Sequence, residues 1–219
     1  MGISKRLKLI AELVTKGNVA ADIGTDHGYV PIYLLREKIS PRAIAVDVSK
    51  GSLEKARENA EFFHLKIQDN ERIANESKKS KVCESEEKNE QNIDEIINFQ
   101  SQDDVEFEAG GTLDNSIIQG NRKINNIGTI DLRLGDGLSV LKSGEADTII
   151  ISGMGGILMT NILEAHKEVS LSAKELILSP HRDADLVRGF LNDYGFKIVF
   201  DEVITDKKKS YSIIKGVKI

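Results

Sequence analysis

Residues 21–31, ADIGTDHGYVP, place an acid and a histidine inside a glycine-punctuated turn that follows a short apolar run. Gly24 and Gly28 have no Cβ, so the main chain there can turn sharply and approach a bound ligand closely. Asp26 offers a carboxylate that can accept a hydrogen bond from a ligand or, alternatively, cap the helix that follows. The dinucleotide-binding spacing G-x-G-x-x-G is absent, because no glycine stands two positions after Gly24. This absence argues against a dinucleotide as the ligand.

Three further stretches carry acids or glycines at spacings that suit ligand binding. Asp47 lies 23 residues beyond Gly24, about where an acid accepts hydrogen bonds from both hydroxyls of a ribose. Its alternative role is that of an acid at the start of the next helix. Asp136, in LGDGL, would receive an adenine amino group or serve only in a turn. Residues 152–156, SGMGG, indicate either a ligand passing close to the main chain or tight packing of a helix against a sheet.

The elements that must position these residues alternate between apolar runs and helical patterns. Five apolar runs have the length and composition of buried parallel strands: residues 18–24, 42–48, 129–135, 146–152 and 175–180. Helical patterns lie near the amino terminus and at 29–38, 51–64, about 137–142, 155–167 and 183–194. Two β-rich runs joined by TDKKK predict a hairpin at the end of the chain.

This order of elements predicts an α/β, Rossmann-like fold: a mostly parallel seven-stranded sheet with helices on both faces and a C-terminal antiparallel hairpin. That arrangement is typical of class I methyltransferases. In such a sheet, ligands bind at the carboxyl ends of the strands, where the strand order reverses. The acids and glycines described above all follow predicted strands, so we expect them to meet at this edge.

A polar segment at about 66–128 interrupts the alternation of strands and helices. Residues 66–129 carry 14 acidic and 8 basic side chains, are rich in Glu, Asn, Ser and Lys, and show no sustained periodicity. This composition predicts a disordered, low-complexity insertion within a single domain of residues 1–219. Because the preceding helix runs away from the ligand edge, we expect the insertion to leave the sheet at the opposite edge.

The motifs together resemble those of the bacterial tRNA (adenine-22-N1)-methyltransferase family. The stretches that carry this resemblance are ISKRL, ADIGTDHGYVP, VDVS, LGDGL, ISGMGG followed by ILEA, and KSYSIIK, and they span nearly all of the chain outside the insertion. Three features depart from the family: the insertion itself, Ser179-Pro180-His181 where members usually have Gln-Pro-Asn, and the absence from this sequence of the usual C-terminal helical extension.

The resemblance implies S-adenosylmethionine as cofactor and methyl transfer to N1 of an adenine in tRNA. It assigns the cofactor contacts to residues at the strand ends: Asp22, Gly24, Thr25, Gly28, Asp47, Val48, Gly135, Asp136, Gly137, Ser152, Gly153 and Met154. Asp26 would accept a hydrogen bond from the adenine amino group and stabilise the cation formed at N1. His27 would orient Asp26 or meet a phosphate, and Tyr29 would stack on the extruded base. Packing at the helix start is the alternative for both.

Composition and charge limit the possible binding partners of the protein and the cellular compartment in which it works. The net charge of −5 is concentrated in the insertion, and the natural contacts for tRNA phosphates are Lys5, Arg6, Lys8, Lys207, Lys208 and Lys209. Lysines in a hairpin turn equally serve solubility. The four histidines show no ligand spacing, so we expect no metal site. One cysteine and the lack of a long apolar run predict a cytoplasmic protein without a membrane segment.

Two other functions stay open at this point. A methyltransferase of the same fold could act on a small molecule or a protein, since the cofactor residues do not identify the substrate. A non-catalytic module that binds S-adenosylmethionine or RNA is the second alternative, suggested by the insertion and the missing extension. A homodimer is also left open.

Overall fold

An eight-stranded sheet organises residues 3–69 and 128–219, which are the residues described by the computed structural model. The strands are β1 Ala20–Ile23, β2 Arg42–Asp47, β3 Lys66–Asp69, β4 Thr129–Leu134, β5 Thr148–Ser152, β6 Glu175–Ser179, β7 Phe196–Asp206 and β8 Lys209–Lys218. Their spatial order is β3-β4-β2-β1-β5-β6-β8-β7, parallel from β3 to β6 and antiparallel at β8 and β7. The order reverses at β1, which lies between β2 and β5, and ligands bind at this point in sheets of this kind.

In the described part of the chain, six helices pack on the two faces of the sheet. They are α1 Lys5–Glu12, α2 Tyr29–Arg36, α3 Lys50–Phe62, α4 Gly156–Ala165, α5 Lys167–Ser170 and α6 Ala184–Asp193. Ser4 and Ser49 begin α1 and α3, because their hydroxyls accept a hydrogen bond from a backbone N–H of the first turn. The helix predicted at 137–142 is wrong: this stretch forms turns in which Ser139 N–H donates to the carbonyl of Asp136.

The core lies on both faces of the central strands, as their continuous apolar composition requires. Alternate residues of β5 point to opposite faces. Ile149 and Ile151 pack in the cluster that includes α4 and α6, whereas Ile150 packs in the cluster that includes α1 and α2. All three side chains are fully buried. Because each central strand is buried on both faces, its position along the sheet is fixed. The position of the polar residues at its carboxyl end is therefore fixed as well.

The predicted fold class is confirmed, but the sheet has one strand more than expected. β3 lies within the segment predicted as an insertion, and it pairs parallel to β4 at the edge of the sheet. Its sequence, KIQD, contains a single apolar residue, Ile67, so it shows no strand periodicity. The predicted exit of the insertion at the far edge is also wrong. Because β3 runs parallel to β1, Asp69 reaches the carboxyl-end edge; the rest of the expected insertion, 70–127, lies outside the described residues.

Candidate active site

Two cavities adjoin at the carboxyl ends of β1 and β5 and share Gly24, Ser152 and Gly153 in their walls. The β2-side cavity has a volume of about 320 Å³ and carries nine of the twelve predicted cofactor residues: Gly24, Asp47, Val48, Gly135, Asp136, Gly137, Ser152, Gly153 and Met154. The α1-side cavity, of about 280 Å³, is lined by Asp22 and Thr25 together with Asp26 and Tyr29. The structure thus separates the predicted residues into two connected compartments.

Two glycines at the junction of the cavities have backbones that a side chain would disturb. Gly24 has φ +72°, and a Cβ there would collide with the terminal methyl of Met154. Gly153 has φ +82°, and a Cβ there would have only His181 Nε2 near it, at 3.9 Å. Gly153 therefore leaves open space above the main chain for a ligand, whereas the space above Gly24 is filled by the Met154 methyl, which lines the same cavity. Gly28, by contrast, lines neither cavity, and its φ of +73° brings α2 close to Ala56 of α3.

The glycines of the SGMGG stretch lie in two different surroundings. Gly153 lines both cavities and is available to a ligand. Gly156, at the start of α4, donates its backbone N–H to the carbonyl of Arg182 at 2.9 Å, and a Cβ there would collide with the carbonyl oxygen of Asp183. The first glycine therefore serves the cavities, and the last permits close packing of two loops.

Asp47 connects the loop after β1 to the loop after β2. Its Oδ2 accepts a hydrogen bond from the backbone N–H of Asp26 at 3.1 Å, and its Oδ1 accepts one from the backbone N–H of Ser49 at 2.8 Å. Each carboxylate oxygen keeps a further lone pair for a ligand hydroxyl in the cavity. The structural and ligand-binding roles of Asp47 are therefore compatible. Asp136 is exposed and also lines this cavity.

Asp22 is a buried acid at the floor of the α1-side cavity. Only 4 % of its surface is exposed, and its Oδ2 accepts a hydrogen bond from the Thr25 hydroxyl at 2.8 Å. Burial raises the pKa of Asp22 to about 7, although the Thr25 hydrogen bond and the charge of Arg6 oppose this shift. The carboxyl group is consequently poised to ionise when a cation enters the cavity.

Asp26, His27 and Tyr29 form a chain of polar contacts at the mouth of the α1-side cavity. His27 Nε2 lies 3.4 Å from Asp26 Oδ1, and His27 Nδ1 lies 3.2 Å from the Tyr29 hydroxyl. An ionised carboxylate only accepts hydrogen bonds, so the tautomer that satisfies both contacts carries its proton on Nε2 and accepts at Nδ1. This arrangement agrees with a role for His27 in orienting Asp26.

The helix-capping explanation for Asp26 does not hold. The residue that begins α2 is Gly28, and no side chain caps this helix end. The Asp26 side chain is 71 % exposed, and its backbone adopts φ +53°, an unfavourable conformation for a residue with a side chain. Asp26 is thus held in a strained loop by the bond from its N–H to Asp47.

The side chains of the six basic residues predicted to bind phosphates do not all face solvent. Lys5, Lys8 and the three lysines at 207–209 are exposed. Arg6 instead lines the α1-side cavity, and its Cζ lies 4.7 Å from the centre of the Tyr211 ring. Its backbone N–H donates to Asp206 Oδ2 at 3.1 Å, which brings α1 beside the hairpin turn.

The sequence reasoning missed two aromatic residues near this cavity, Tyr211 and His181. Their ring centres lie 6.0 Å apart, and the backbone N–H of His181 donates to the carbonyl of Met154. A signal was present for Tyr211: a hairpin that returns antiparallel to β6 must begin its last strand at the carboxyl-end edge.

Neither a membrane-crossing helix nor a group of metal ligands occurs in the described ranges. No helix in residues 3–69 and 128–219 is long and apolar enough to cross a bilayer. Within the same residues, no three His, Cys, Asp or Glu side chains are grouped as metal ligands.

Comparison with known proteins identifies the family. A model described as "Methyltransferase domain" matches residues 3–91 and 114–214. The tRNA (adenine(22)-N(1))-methyltransferase of Bacillus subtilis (strain 168) is 27 % identical over 212 residues, which cover 97 % of this chain and 63 % of that relative. The chain therefore spans less than two thirds of the length of this curated relative.

Solved structures agree with this match. The B. subtilis m1A22 tRNA methyltransferase has a TM-score of 0.67 at 26 % identity, covering 100 % of this chain and 67 % of that one. A Streptococcus pneumoniae protein described as a tRNA (m1A22) methyltransferase in complex with S-adenosyl-L-methionine also has a TM-score of 0.67 at 26 % identity, covering 99 % and 73 %. The resemblance drawn from the sequence motifs is confirmed, and this chain belongs to the methyltransferase-domain family.

Proposed function

We propose that this protein is an S-adenosylmethionine-dependent methyltransferase that transfers a methyl group to N1 of adenine 22 in tRNA. The observation that carries the proposal is the meeting of the two cavities at Gly24 and Gly153, with Asp26 at the mouth of one and Asp47 on the wall of the other. The relatives named above, which share 26–27 % of their residues with this chain, support the choice of tRNA and of position 22.

The residues of the β2-side cavity fit an adenosine group. Its walls include apolar side chains from Val46, Leu158 and Ile162, which suit the faces of a purine, with the acids Asp47 and Asp136 to accept hydrogen bonds. The open space above Gly153, where the two cavities adjoin, would admit the part of the cofactor that continues into the α1-side cavity.

The reaction requires the protein to position the adenine and to tolerate the cation formed on it. When bound, S-adenosylmethionine supplies an electrophilic methyl group. The Asp26 carboxylate would accept a hydrogen bond from the exocyclic amino group of adenine, which raises electron density at N1 and stabilises the positive charge that develops there. Tyr29 would offer its ring to the extruded base, and His27 would hold the carboxylate in place.

The substrate surface would include the exposed lysines of α1 and of the hairpin turn, the helix whose Arg6 lines the α1-side cavity and the turn beside it. Lys5 and Lys8 belong to α1 and residues 207–209 to the hairpin turn, and the hydrogen bond from Arg6 N–H to Asp206 brings these two elements side by side. Contacts of this kind with RNA phosphates predict affinity for tRNA that falls steeply as the salt concentration rises.

The test is methylation of unmodified tRNA transcripts. We expect calorimetry to detect S-adenosylmethionine binding, and a transcript with adenine at position 22 to be methylated while its guanine-22 counterpart is not. Because N1 methylation blocks the base-pairing edge, primer extension should stop at position 22. Cofactor binding without methylation of any tRNA would instead support a different substrate or a non-catalytic role, and equal methylation of both transcripts would refute position 22.

A further inference from the structure

His181 presents a ring nitrogen to the point at which the two cavities meet. It follows β6, and its backbone N–H donates to the carbonyl of Met154 at 2.9 Å, which joins the loop after β6 to the loop after β5. Its Nε2 lies 3.9 Å from the position that a Cβ would take at Gly153; outside residues 152–154, no other described atom comes within 4 Å of that position. Gly153 lines both cavities. His181 therefore borders the open space through which they connect.

The His181 side chain lies at the surface, outside both cavities. The residue is exposed and belongs to neither cavity wall. Within residues 3–69 and 128–219 its ring makes no hydrogen bond or ion pair, and its one aromatic contact is with Tyr211, whose ring centre lies 6.0 Å away. Both ring nitrogens are therefore available to a partner. Because the cofactor would occupy the cavities, that partner is a group that approaches the junction from solvent.

The order of the strands places His181 across the junction from Asp26. Asp26 follows β1, Gly153 follows β5 and His181 follows β6, and β5 lies between the other two strands. The backbone N–H of Asp26 is bonded to Asp47 at the end of β2, so the Asp26 loop lies toward β2 and away from β6. A base inserted at the junction would therefore have Asp26 on one side and His181 on the other.

The structure of adenine determines which of its atoms would face His181. The exocyclic amino group, N1, C2 and N3 follow one another along the edge of the base. With the amino group bound to Asp26 and N1 directed to the methyl group above Gly153, N3 lies on the β6 side. N3 is a hydrogen-bond acceptor, and an Nε2–H group of histidine is a donor.

We infer that His181 donates a hydrogen bond from Nε2 to N3 of the target adenine. This inference rests on the proposed function, since it requires an adenine in the site. Histidine suits the position because it can donate a hydrogen bond without carrying a permanent charge. Methyl transfer leaves a positive charge on the base, which a lysine or an arginine beside N3 would destabilise. His181 would thus position the base for attack, while Asp26 would stabilise the charge that forms.

The experiment measures kcat/KM for two tRNA transcripts, one with adenine at position 22 and one with 3-deazaadenine, in which a C–H group replaces N3. This replacement also makes N1 more basic, so the two substrates are compared through a double-mutant cycle. We expect His181→Ala to lower kcat/KM about 10-fold with adenine, the usual effect of losing one hydrogen bond, and to leave kcat/KM with 3-deazaadenine unchanged. His181→Gln should restore part of the loss, because its amide can donate from nearly the same place. Both variants should bind S-adenosylmethionine as the wild type does.

Arg182→Gln is the matched control, since Arg182 belongs to the same loop and its side chain is 80 % exposed. Any change in kcat/KM that it causes should be equal for the two transcripts. An equal loss for both transcripts in His181→Ala would overturn the inference, as would weaker binding of S-adenosylmethionine, which would show that His181 contacts the cofactor. If the wild-type protein methylates neither transcript, the proposed function fails as well, which distinguishes the two failures.

Discussion

Replacement of Asp26 separates catalysis from stability, because the structure shows a strained and exposed residue that caps no helix. Asp26→Asn keeps the size of the side chain and, like aspartate, tolerates the left-handed backbone conformation at φ +53°. No hydrogen bond from the Asp26 side chain to α2 exists to be lost. We therefore expect the free energy of unfolding to change by less than about 0.5 kcal/mol.

The effect on methyl transfer should be much larger. Asp26→Asn removes the negative charge that faces the developing cation at N1, and the loss of one such electrostatic contact lowers the rate by about 10²-fold, or about 2.7 kcal/mol in activation free energy. Asp26→Gly should be equally inactive. Glycine relieves about 1 kcal/mol of left-handed strain and loses a similar amount through greater freedom of the unfolded chain, so its stability should remain close to that of the wild type.

The assay measures three quantities on each variant: melting temperature, S-adenosylmethionine affinity and the single-turnover rate with tRNA saturating. We expect the first two to be preserved and the third to fall. Asp26→Ala provides the contrast, because alanine tolerates the left-handed backbone poorly and should lower the melting temperature as well. A fully active Asp26→Asn enzyme would end the catalytic assignment, and a large loss of stability in that variant would show a structural role that the contacts do not reveal.

Three other substitutions test the cavities. Asp47→Asn should weaken S-adenosylmethionine binding by about 1–3 kcal/mol in calorimetry, and unchanged affinity would exclude the ribose contact. Gly24→Ala should weaken cofactor binding, because its Cβ would displace the Met154 methyl within the same cavity, whereas Gly144→Ala, at a similar φ of +75° but with nothing within 4 Å, should show only the backbone strain. Burial raises the pKa of Asp22 to about 7, which predicts that the protein without cofactor loses stability as the pH rises from about 4 to 7. Asp22→Asn should therefore have a higher melting temperature than the wild type at pH 8 but not at pH 4. Melting temperatures of the two proteins that change in parallel with pH would contradict this.

The strand ends could be predicted from the sequence because burial on both faces leaves an unmistakable pattern. The central residues of β5 and β6 are continuously apolar, and the first polar or glycine residue after each of them marks the edge of the sheet. Gly24, Asp47 and Gly153 could all be placed near one another on this basis. The residues of a site at the carboxyl ends of parallel strands can therefore be predicted from the amino-acid sequence.

Elements that are stabilised by a single neighbour were harder to predict. β3 buries little, and its pairing with β4 depends on the backbone rather than on an apolar pattern. Gly137, with φ +54°, begins turns where the composition of 137–142 favoured a helix. Local propensity does not decide such cases, because a few backbone hydrogen bonds made by the surrounding fold outweigh it.

The C-terminal hairpin determines where the Arg6 side chain lies. Helical periodicity shows that Lys5, Arg6 and Lys8 share a turn with apolar residues, but it does not show which of them lines the cavity. The hydrogen bond from Arg6 N–H to Asp206, a residue 200 positions away, fixes that choice together with the Tyr211 ring.

A second contact between the first helix and the last strand reinforces this arrangement. Lys215 of β8 donates to the carbonyl of Leu13 at 2.7 Å and pairs with the buried Glu175 at 2.8 Å, while Glu175 accepts a hydrogen bond from the Thr15 hydroxyl at 2.6 Å. These contacts hold the end of α1 against the amino end of β6, and Arg6 at the start of α1 connects the hairpin to the α1-side cavity. The β2-side cavity, in contrast, is built from the central strands and the loops that follow them. It follows that changes in the hairpin can alter recognition in the α1-side cavity without touching the loops that would hold the adenosine group.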